Sequence, residues 1–325
     1  MTELVNLQAE VPIDLSGLRL DQIAAKLFPD YSRSRLQIWI KSGELLVGGQ
    51  RKRIRDKILS GVLLTVVAEV EDSGRWLPEN IDLDIVYEDE FLLVINKPTG
   101  LVVHPAAGHS SGTLLNALLN HSEELGSVPR AGIVHRLDKD TTGLMVVAKN
   151  LSAHTSLVEQ LQARTVSREY EALVTGVMTG GGTIEAAIGR HSQQRKKMRV
   201  VNTGGKEAIT HYRLIERFTN HSYIRVKLET GRTHQIRVHM SHIHYPLIGD
   251  NTYGGRQRLP KKAPPELIVV LRSFGRQALH AQSLALIHPE SGKLMQWEVQ
   301  LPDDFATLLN SLREYDALDV DASDY

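Results

Sequence analysis

A carboxylate, a tyrosine and an arginine, in three separate stretches, carry most of the chemistry this sequence offers. Asp138 lies in HRLDKDTTG (135–143), between Arg136 and Lys139, two cations that attract its charge if the fold lets them face it. Gly132 to Leu137 is apolar enough to end a strand, DKDTTG is a run of turn formers, and LMVVA (144–148) is a short β-branched strand. Asp138 is therefore expected where a strand gives way to a tight loop. It either opens a turn by accepting from the amides of Asp140 or Thr141, the commoner use of such a residue, or presents a charge for reaction. Tyr170, in REYEALV, shares a strand face with Ala172 and Val174, the ordinary place of a core aromatic. Arg232 belongs to LETGRTHQIRVHM (228–240). There Ile236, Met240 and Ile243 recur at i, i+4 and i+7, so a helix begins and Gly231-Arg232 lie at its mouth. An arginine at that place offers a planar fork to a carboxylate, which lysine cannot.

The same region holds His234, His239, His242 and His244. His234 and His239 are five apart, whereas helical zinc pairs stand at i and i+4, and no acid lies between Gly231 and Gly249. No metal is expected there. The chain has no Cys, which excludes a disulfide framework, a thiolate nucleophile and a Cys-ligated zinc.

The elements that must position these residues fit a chain of 325 residues with two domains. The start, MTELVNLQAEV, lacks the cationic n-region and apolar core of a signal peptide, and no apolar run reaches membrane-spanning length, so a cytoplasmic protein is expected. The 38 basic and 38 acidic residues balance, so any nucleic-acid contact must rest on local charge. From Gly17 to Ser60 ten Lys or Arg face four acids. Within this stretch Leu20, Ile23, Ala24 and Leu27 mark one short helix, and Leu36, Trp39 and Ile40 a second that Ser32 would cap, followed by a strand. These elements, with the RLD, SRS and GELLVGG segments, resemble the alpha-L RNA-binding motif. The resemblance makes Arg33, Arg35, Lys41, Arg51 and Lys52 contacts to RNA backbone; a solvated charged face is the plainer use of the same residues.

Ala68 to Asn80 has acids, Gly and Pro without apolar periodicity and reads as a linker. LDIVYEDEFLLVINKP then reads as two strands joined at Glu88 to Glu90, and Gly112 to Leu125 as helical. Lys97, at the end of the second strand, either approaches a phosphate or caps an edge. Leu151, Leu157, Val158 and Leu161 repeat at helical spacing, with Asn150 or Ser152 able to cap the start. RHSQQRKKMR (190–199) is a basic loop whose Arg195, Lys196 and Lys197 suit phosphate. The tail YDALDVDASDY (315–325) is acidic and expected to be disordered.

HRLDKDTTG resembles the signature of the pseudouridine synthases of the RluA type, and INKPTGLVVHP, REYEALVTG and LETGRTHQIRVHM follow that family's order. The likeness runs from about Leu18 to Leu301. It implies an α+β fold: an N-terminal alpha-L RNA-binding module (1–67), a linker (68–80), and a large catalytic domain with a mixed, mostly antiparallel sheet (81–314). It also implies isomerisation of uridine to pseudouridine in ribosomal RNA, and its full-length extent points to the 23S rRNA of the large subunit, free or in a pre-ribosomal particle. On this likeness Asp138 is the catalytic carboxylate, Tyr170 stacks on the flipped base, Arg232 pairs with Asp138, and Arg136 fills the helical gap the base leaves. No cofactor, no metal, no membrane and a monomer are expected. A non-catalytic RNA-binding protein on the same scaffold would share the basic patches without needing Asp138, Tyr170 and Arg232 together.

Overall fold

A computed structural model describes residues 2–29, 31, 33–71, 76–105, 111–194, 197–255, 259–260 and 263–321. Ser32, Arg195 and Lys196 lie outside the described residues, as do 72–75 of the expected linker and 322–325 of the tail. The chain divides into two compact units, Met1–Glu79 and Asn80–Tyr325.

The first unit is a three-stranded antiparallel sheet with two helices. Its strands β1 (Thr2–Glu10), β2 (Leu45–Val47) and β3 (Leu63–Glu71) stand in the order β1-β3-β2. Helices α1 (Leu20–Leu27) and α2 (Arg33–Ser42) turn Leu20, Ile23, Ala24, Leu36, Trp39 and Ile40 into one core with Leu45, Leu64 and Val66. These are the faces the helical spacing predicts. Two features were not legible. TELVNLQAE (2–10) forms β1, paired along its length with β3 from Thr2↔Glu71 to Glu10↔Leu63. That pairing carries β3 through Glu71, four residues into the expected linker, because a strand with a full-length partner satisfies its backbone groups whatever its side chains are.

The second unit is built on β4 (Ile85–Glu88), β5 (Leu92–Lys97), β6 (Thr142–Ala148), β7 (Ser167–Thr175), β8 (Gly182–Glu185), β11 (Ile209–Arg217), β12 (His221–Leu228), β13 (Leu279–Ile287) and β14 (Leu294–Glu298). They form one nine-stranded sheet in the order β4-β5-β6-β13-β7-β12-β11-β8, with β14 beside β13. Among the described residues the β6 to β13 pairing is parallel and the rest antiparallel, a mixed, mostly antiparallel sheet. All seven residues of β6 are buried, so it reads as a continuous apolar run. Gly143 within it has φ +110, and a Cβ there would meet the carbonyl of Ala281 at 2.2 Å, so only glycine lets β6 and β13 approach.

Among the described residues, five α-helices and a small ribbon complete this unit: α3 (Leu114–His121), α4 (Leu151–Gln162), α5 (Gln235–His242), α6 (Pro265–Ser273), α7 (Asp303–Asp321), and β9 (Ile188–Arg190) paired with β10 (Met198–Val200). Asn150 caps α4, its side chain accepting from the Ala153 amide at 2.9 Å. Ala153 and Leu157 of α4 pack on Leu92, Val94 and Val146 of the sheet. Of the expected basic loop, Arg190 ends β9, Met198 and Arg199 lie in β10, and the described residues 191–194 and Lys197 stand between the two strands. The acidic tail differs from expectation: α7 runs through Tyr315, which is buried among Phe305, Leu308 and Leu312, and Asp316 accepts from the Thr219 amide at 2.7 Å. Two tertiary anchors outweigh the tail's acidic composition. No described helix is long and apolar enough to cross a membrane.

Candidate active site

The segment that carries Asp138 is not a strand end. A turn over Pro129–Gly132, with Arg130 (φ 57) and Ala131 (φ 51) in the left-handed region, leads through a bridge, Ile133↔Val147, to an irregular stretch pinned by His135, whose Nε2 accepts from the Val146 amide at 3.1 Å. Burial, reinforced by the charge of Arg168, pushes His135 down to about 3, so the ring stays neutral and remains an acceptor. A backbone turn follows, the Thr141 amide donating to the carbonyl of Asp138 at 3.1 Å.

This turn is held from beneath. Lys97, buried at the end of β5, donates from Nζ to the carbonyls of Pro98 (2.7 Å), Leu101 (2.9 Å) and Lys139 (2.9 Å). It is an internal brace, and not a phosphate contact. Burial lowers its pKa to about 8, with Asp140 and Asp138 opposing the shift. On the other side Arg276 donates to the carbonyl of Asp140 at 3.3 Å while its fork holds Asp304 at 2.6 and 2.8 Å.

The Asp138 side chain, 15% exposed, accepts at Oδ2 from Nη1 of Arg237 at 2.9 Å. The expected partner was Arg232, and this pairing is corrected. Arg232 precedes α5 and turns its Nε to the carbonyl of Glu207 at 2.8 Å, on the wall of the same cavity. Arg237, in the first turn of α5, points inward. Its Nε and Nη2 grip Asp250 at 2.7 and 2.9 Å, leaving Nη1 for Asp138. Burial alone would weaken the Arg237 charge, but Asp250 and Asp138 outweigh it and hold the cation. Asp250 in turn accepts from the amides of Thr252 (2.9 Å) and Tyr253 (3.0 Å). The Tyr253 ring lies under the guanidinium, 5.1 Å from centroid to Cζ. A signal for Arg237 existed: an arginine on the buried face of a helix needs a carboxylate, and Asp250 follows 13 residues later.

His234 stands second to Asp138, Nε2 to Oδ1 at 3.8 Å. The Tyr253 hydroxyl accepts from the Met198 amide at 2.9 Å and lies 2.7 Å from Nδ1 of His234. With that hydroxyl donating to Nδ1, the ring proton belongs on Nε2, facing Asp138. Burial lowers the pKa of His234 and the Asp138 charge opposes it. His239 uses both ring nitrogens within the fold, on Thr210 Oγ1 and the carbonyl of Ala186, each at 2.9 Å. Among the described residues no three His, Asp or Glu side chains converge as metal ligands would.

These groups border a cavity of about 560 Å³, whose wall includes Asp138, Arg136, Tyr170, Arg168 and Arg232. Tyr170 is 5% exposed, and burial raises its pKa, with Asp138 adding to the rise and Arg168 opposing it, so the hydroxyl stays protonated. Arg136 is exposed at the cavity's edge. In the first unit Arg33 is committed instead to Asp21, donating at 3.1 and 2.6 Å. Lys41, Arg51 and Lys52 are exposed, the Arg51 guanidinium lying over Gly43, and Arg35 is engaged within the fold. Lys197 sits in the β9–β10 turn, its amide donating to the carbonyl of Gln194 at 2.8 Å.

A protein of Pseudomonas aeruginosa named ribosomal large subunit pseudouridine synthase D is 63% identical over 314 residues, covering 97% of this chain and 98% of that one. A protein of the same name from Yersinia pestis is 55% identical over 96% of both chains. The family model for RNA pseudouridylate synthases matches residues 91–242. The chain belongs to the RNA pseudouridylate synthase family. Its activity class is therefore that of an isomerase, an RluA-type pseudouridine synthase. Among solved structures, human RNA pseudouridylate synthase domain containing 4 matches with a TM-score of 0.56 and 26% identity, over 70% of this chain and 92% of that one. Human RNA pseudouridylate synthase domain containing 1 matches at 0.52 and 28%, over 72% and 89%. The matched segment, 91–242, contains Asp138, Tyr170, Arg232 and Arg237, whereas Asp250 lies beyond it.

Proposed function

We propose that this chain converts uridines of large-subunit ribosomal RNA to pseudouridine, with Asp138 acting at C1′ of a uridine flipped into the cavity. One observation carries the reading: Asp138 is a carboxylate at the cavity wall held by one prong of an arginine whose other two are taken by Asp250, whereas Glu229, the other acid in the lining, is paired with His211 and Arg164. Such a carboxylate is oriented and charged, while its second oxygen remains directed at the cavity and His234. The isomerisation breaks the bond from N1 to C1′, turns the base and joins C5 to C1′, with no net change of atoms. It asks for a fixed carboxylate and a water-poor pocket for the extruded base. Tyr170 supplies the stacking face, and Arg136, exposed at the edge, takes the place of the base in the RNA.

The names of the relatives support the choice of large-subunit RNA. The first unit is an alpha-L RNA-binding module in this proposal, gripping phosphate through Lys41, Arg51 and Lys52, and Lys197 of the ribbon turn contributes with its neighbours. The enzyme works as a monomer in the cytoplasm, on free rRNA or a pre-ribosomal particle. Pseudouridine mapping of large-subunit rRNA from cells lacking the protein, and from cells carrying only Asp138→Asn, tests the proposal. Sites missing in both are expected; sites retained with Asp138→Asn would remove the carboxylate from the chemistry.

A further inference from the structure

Several arginines border the cavity, and they are held differently. Arg237 is saturated by Asp250 and Asp138, Arg164 pairs with Glu207 and Glu229, and Arg232 rests on a carbonyl. Arg130 and Arg136 reach water at the cavity's edge. Arg168 has neither kind of support. It is 8% exposed, forms no ion pair among the described residues, and its Nε is buried with no hydrogen-bond partner there. Its Nη2 reaches the carbonyl of Glu229 only at a long 3.4 Å. A buried cation without a counter-charge is costly, and such exceptions concentrate where a ligand completes the set.

The placement says what that ligand offers. Arg168 and Tyr170 are two apart on β7 and so share the face that lines the cavity. Gly231 leaves room for the guanidinium, since a Cβ there would stand 2.7 Å from Nη1. A base stacked on Tyr170 therefore has Arg168 beside it. When the N1–C1′ bond breaks, its electron pair goes to the base, which becomes a uracil anion with charge spread over N1, O2 and O4. The pair returns when C5 joins C1′; the C5 proton is then released and N1 is protonated, so the composition is unchanged. We propose that Arg168 is a catalytic residue that holds the negative charge of the detached base through its O2 or O4 oxygen. This rests on the reading that the cavity takes the uridine. A fixed cation in a dry pocket stabilises developing charge without reorganising.

The test measures, for Arg168→Met and Arg168→Lys in the full chain, single-turnover tritium release from RNA carrying uridine labelled at C5, together with RNA Kd and thermal midpoint. Arg168→Met is expected to slow release by about 10²- to 10³-fold, as removal of one preorganised donor does. Its Kd should stay within about threefold, since only charge that develops after binding is affected. Its midpoint should be unchanged or raised, because an apolar side chain of similar reach replaces an unpaired buried charge. Arg168→Lys should fall between Met and the parent. Parental release in Arg168→Met, a loss confined to Kd, or a midpoint that drops with the rate would each overturn the assignment. Asp138→Asn in the same assay keeps the two readings apart. If it too releases tritium normally, the cavity is not the active site; if it is inactive while Arg168→Met is normal, only the role of Arg168 fails.

Discussion

Two aspartates, one in each unit, meet arginine in opposite ways. Asp21 in α1 is fully buried and, among the described residues, accepts five hydrogen bonds, two from Arg19, two from Arg33 and one from Gln37. Burial alone would raise its pKa, but the bonds from Arg33, Gln37 and Arg19 and the charge of Arg33 bring it below the ordinary value. Asp138 receives one bond from Arg237, and its other oxygen faces a cavity. A saturated carboxylate has nothing left to offer a substrate. Incomplete satisfaction, in a frame that is itself rigid, separates the reactive group from the structural one.

The largest effects should divide along that line. Asp138→Asn is expected to reduce turnover by about a thousandfold or more while stability moves by less than about 1 kcal/mol. Asp21→Asn should do the reverse: a loss of about 1 to 3 kcal/mol in the first unit, limited because Arg19 and Arg33 are half-exposed and can turn to water, with saturating turnover retained. Single-turnover rates and denaturant melts on both variants check this, and a stable but inactive Asp21→Asn would erase the contrast.

Arg237→Lys comes next. A point charge cannot serve Asp250 with a fork and Asp138 with a third prong, so turnover should fall about a hundredfold. Stability should fall too, by up to about 3 to 5 kcal/mol, because Asp250 is buried and loses its partner. Arg232→Lys should change turnover by less than about tenfold, since its side chain meets a carbonyl and not Asp138. Turnover and denaturant melts of both variants check the order. If Arg232→Lys were the worse of the two, the pairing drawn from the geometry would be wrong.

The units also differ in acid sensitivity. All fourteen histidines lie beyond Asn80. Burial lowers His221 and His280 to about 4, from an ordinary 6.5. Between those values the unfolded chain binds protons that the folded unit refuses, so stability falls as pH drops from 6.5 to about 4, by about 1.4 kcal/mol per pH unit for each such group. The first unit has Asp21 instead, whose folded pKa is depressed. Its contribution is present above 3.8 and is lost as pH falls through the lower folded value. Thermal melts of the two units made separately, from pH 7 to 3, should show the catalytic unit weakening first. A first unit that weakens at pH 6 would contradict this.

The smallest effect concerns affinity. A chain beginning at Asn80 should keep saturating turnover and bind RNA with a shallower salt dependence. The slope of log affinity against log salt should fall by about 0.7 to 0.9 for each phosphate that is no longer neutralised. An unchanged slope would show that Lys41, Arg51 and Lys52 are merely solvated.

What the sequence determined by itself is local. The helical spacing of Leu20, Ile23 and Ala24, the turn formers after Asp138, the two strands on either side of Glu88 to Glu90, and the Asn150 cap each depend on residues within a few positions of one another, and each is found where those residues lie. The segment order around HRLDKDTTG was enough to indicate the family. Tertiary structure decided what depends on distance. Arg232 and Arg237 share one motif, and only the start of α5 at Gln235, with Asp250 as a far anchor, turns the second toward Asp138. Lys97 braces a loop 42 residues away, β1 exists because β3 returns to pair with it, and Tyr315 is ordered by a core drawn from remote elements. Arg168 is the extreme case: its lack of a counter-charge is a property of its surroundings. A sequence states which charges are present, but which of them stay uncompensated is settled only when folding removes water and brings, or fails to bring, the opposite charge.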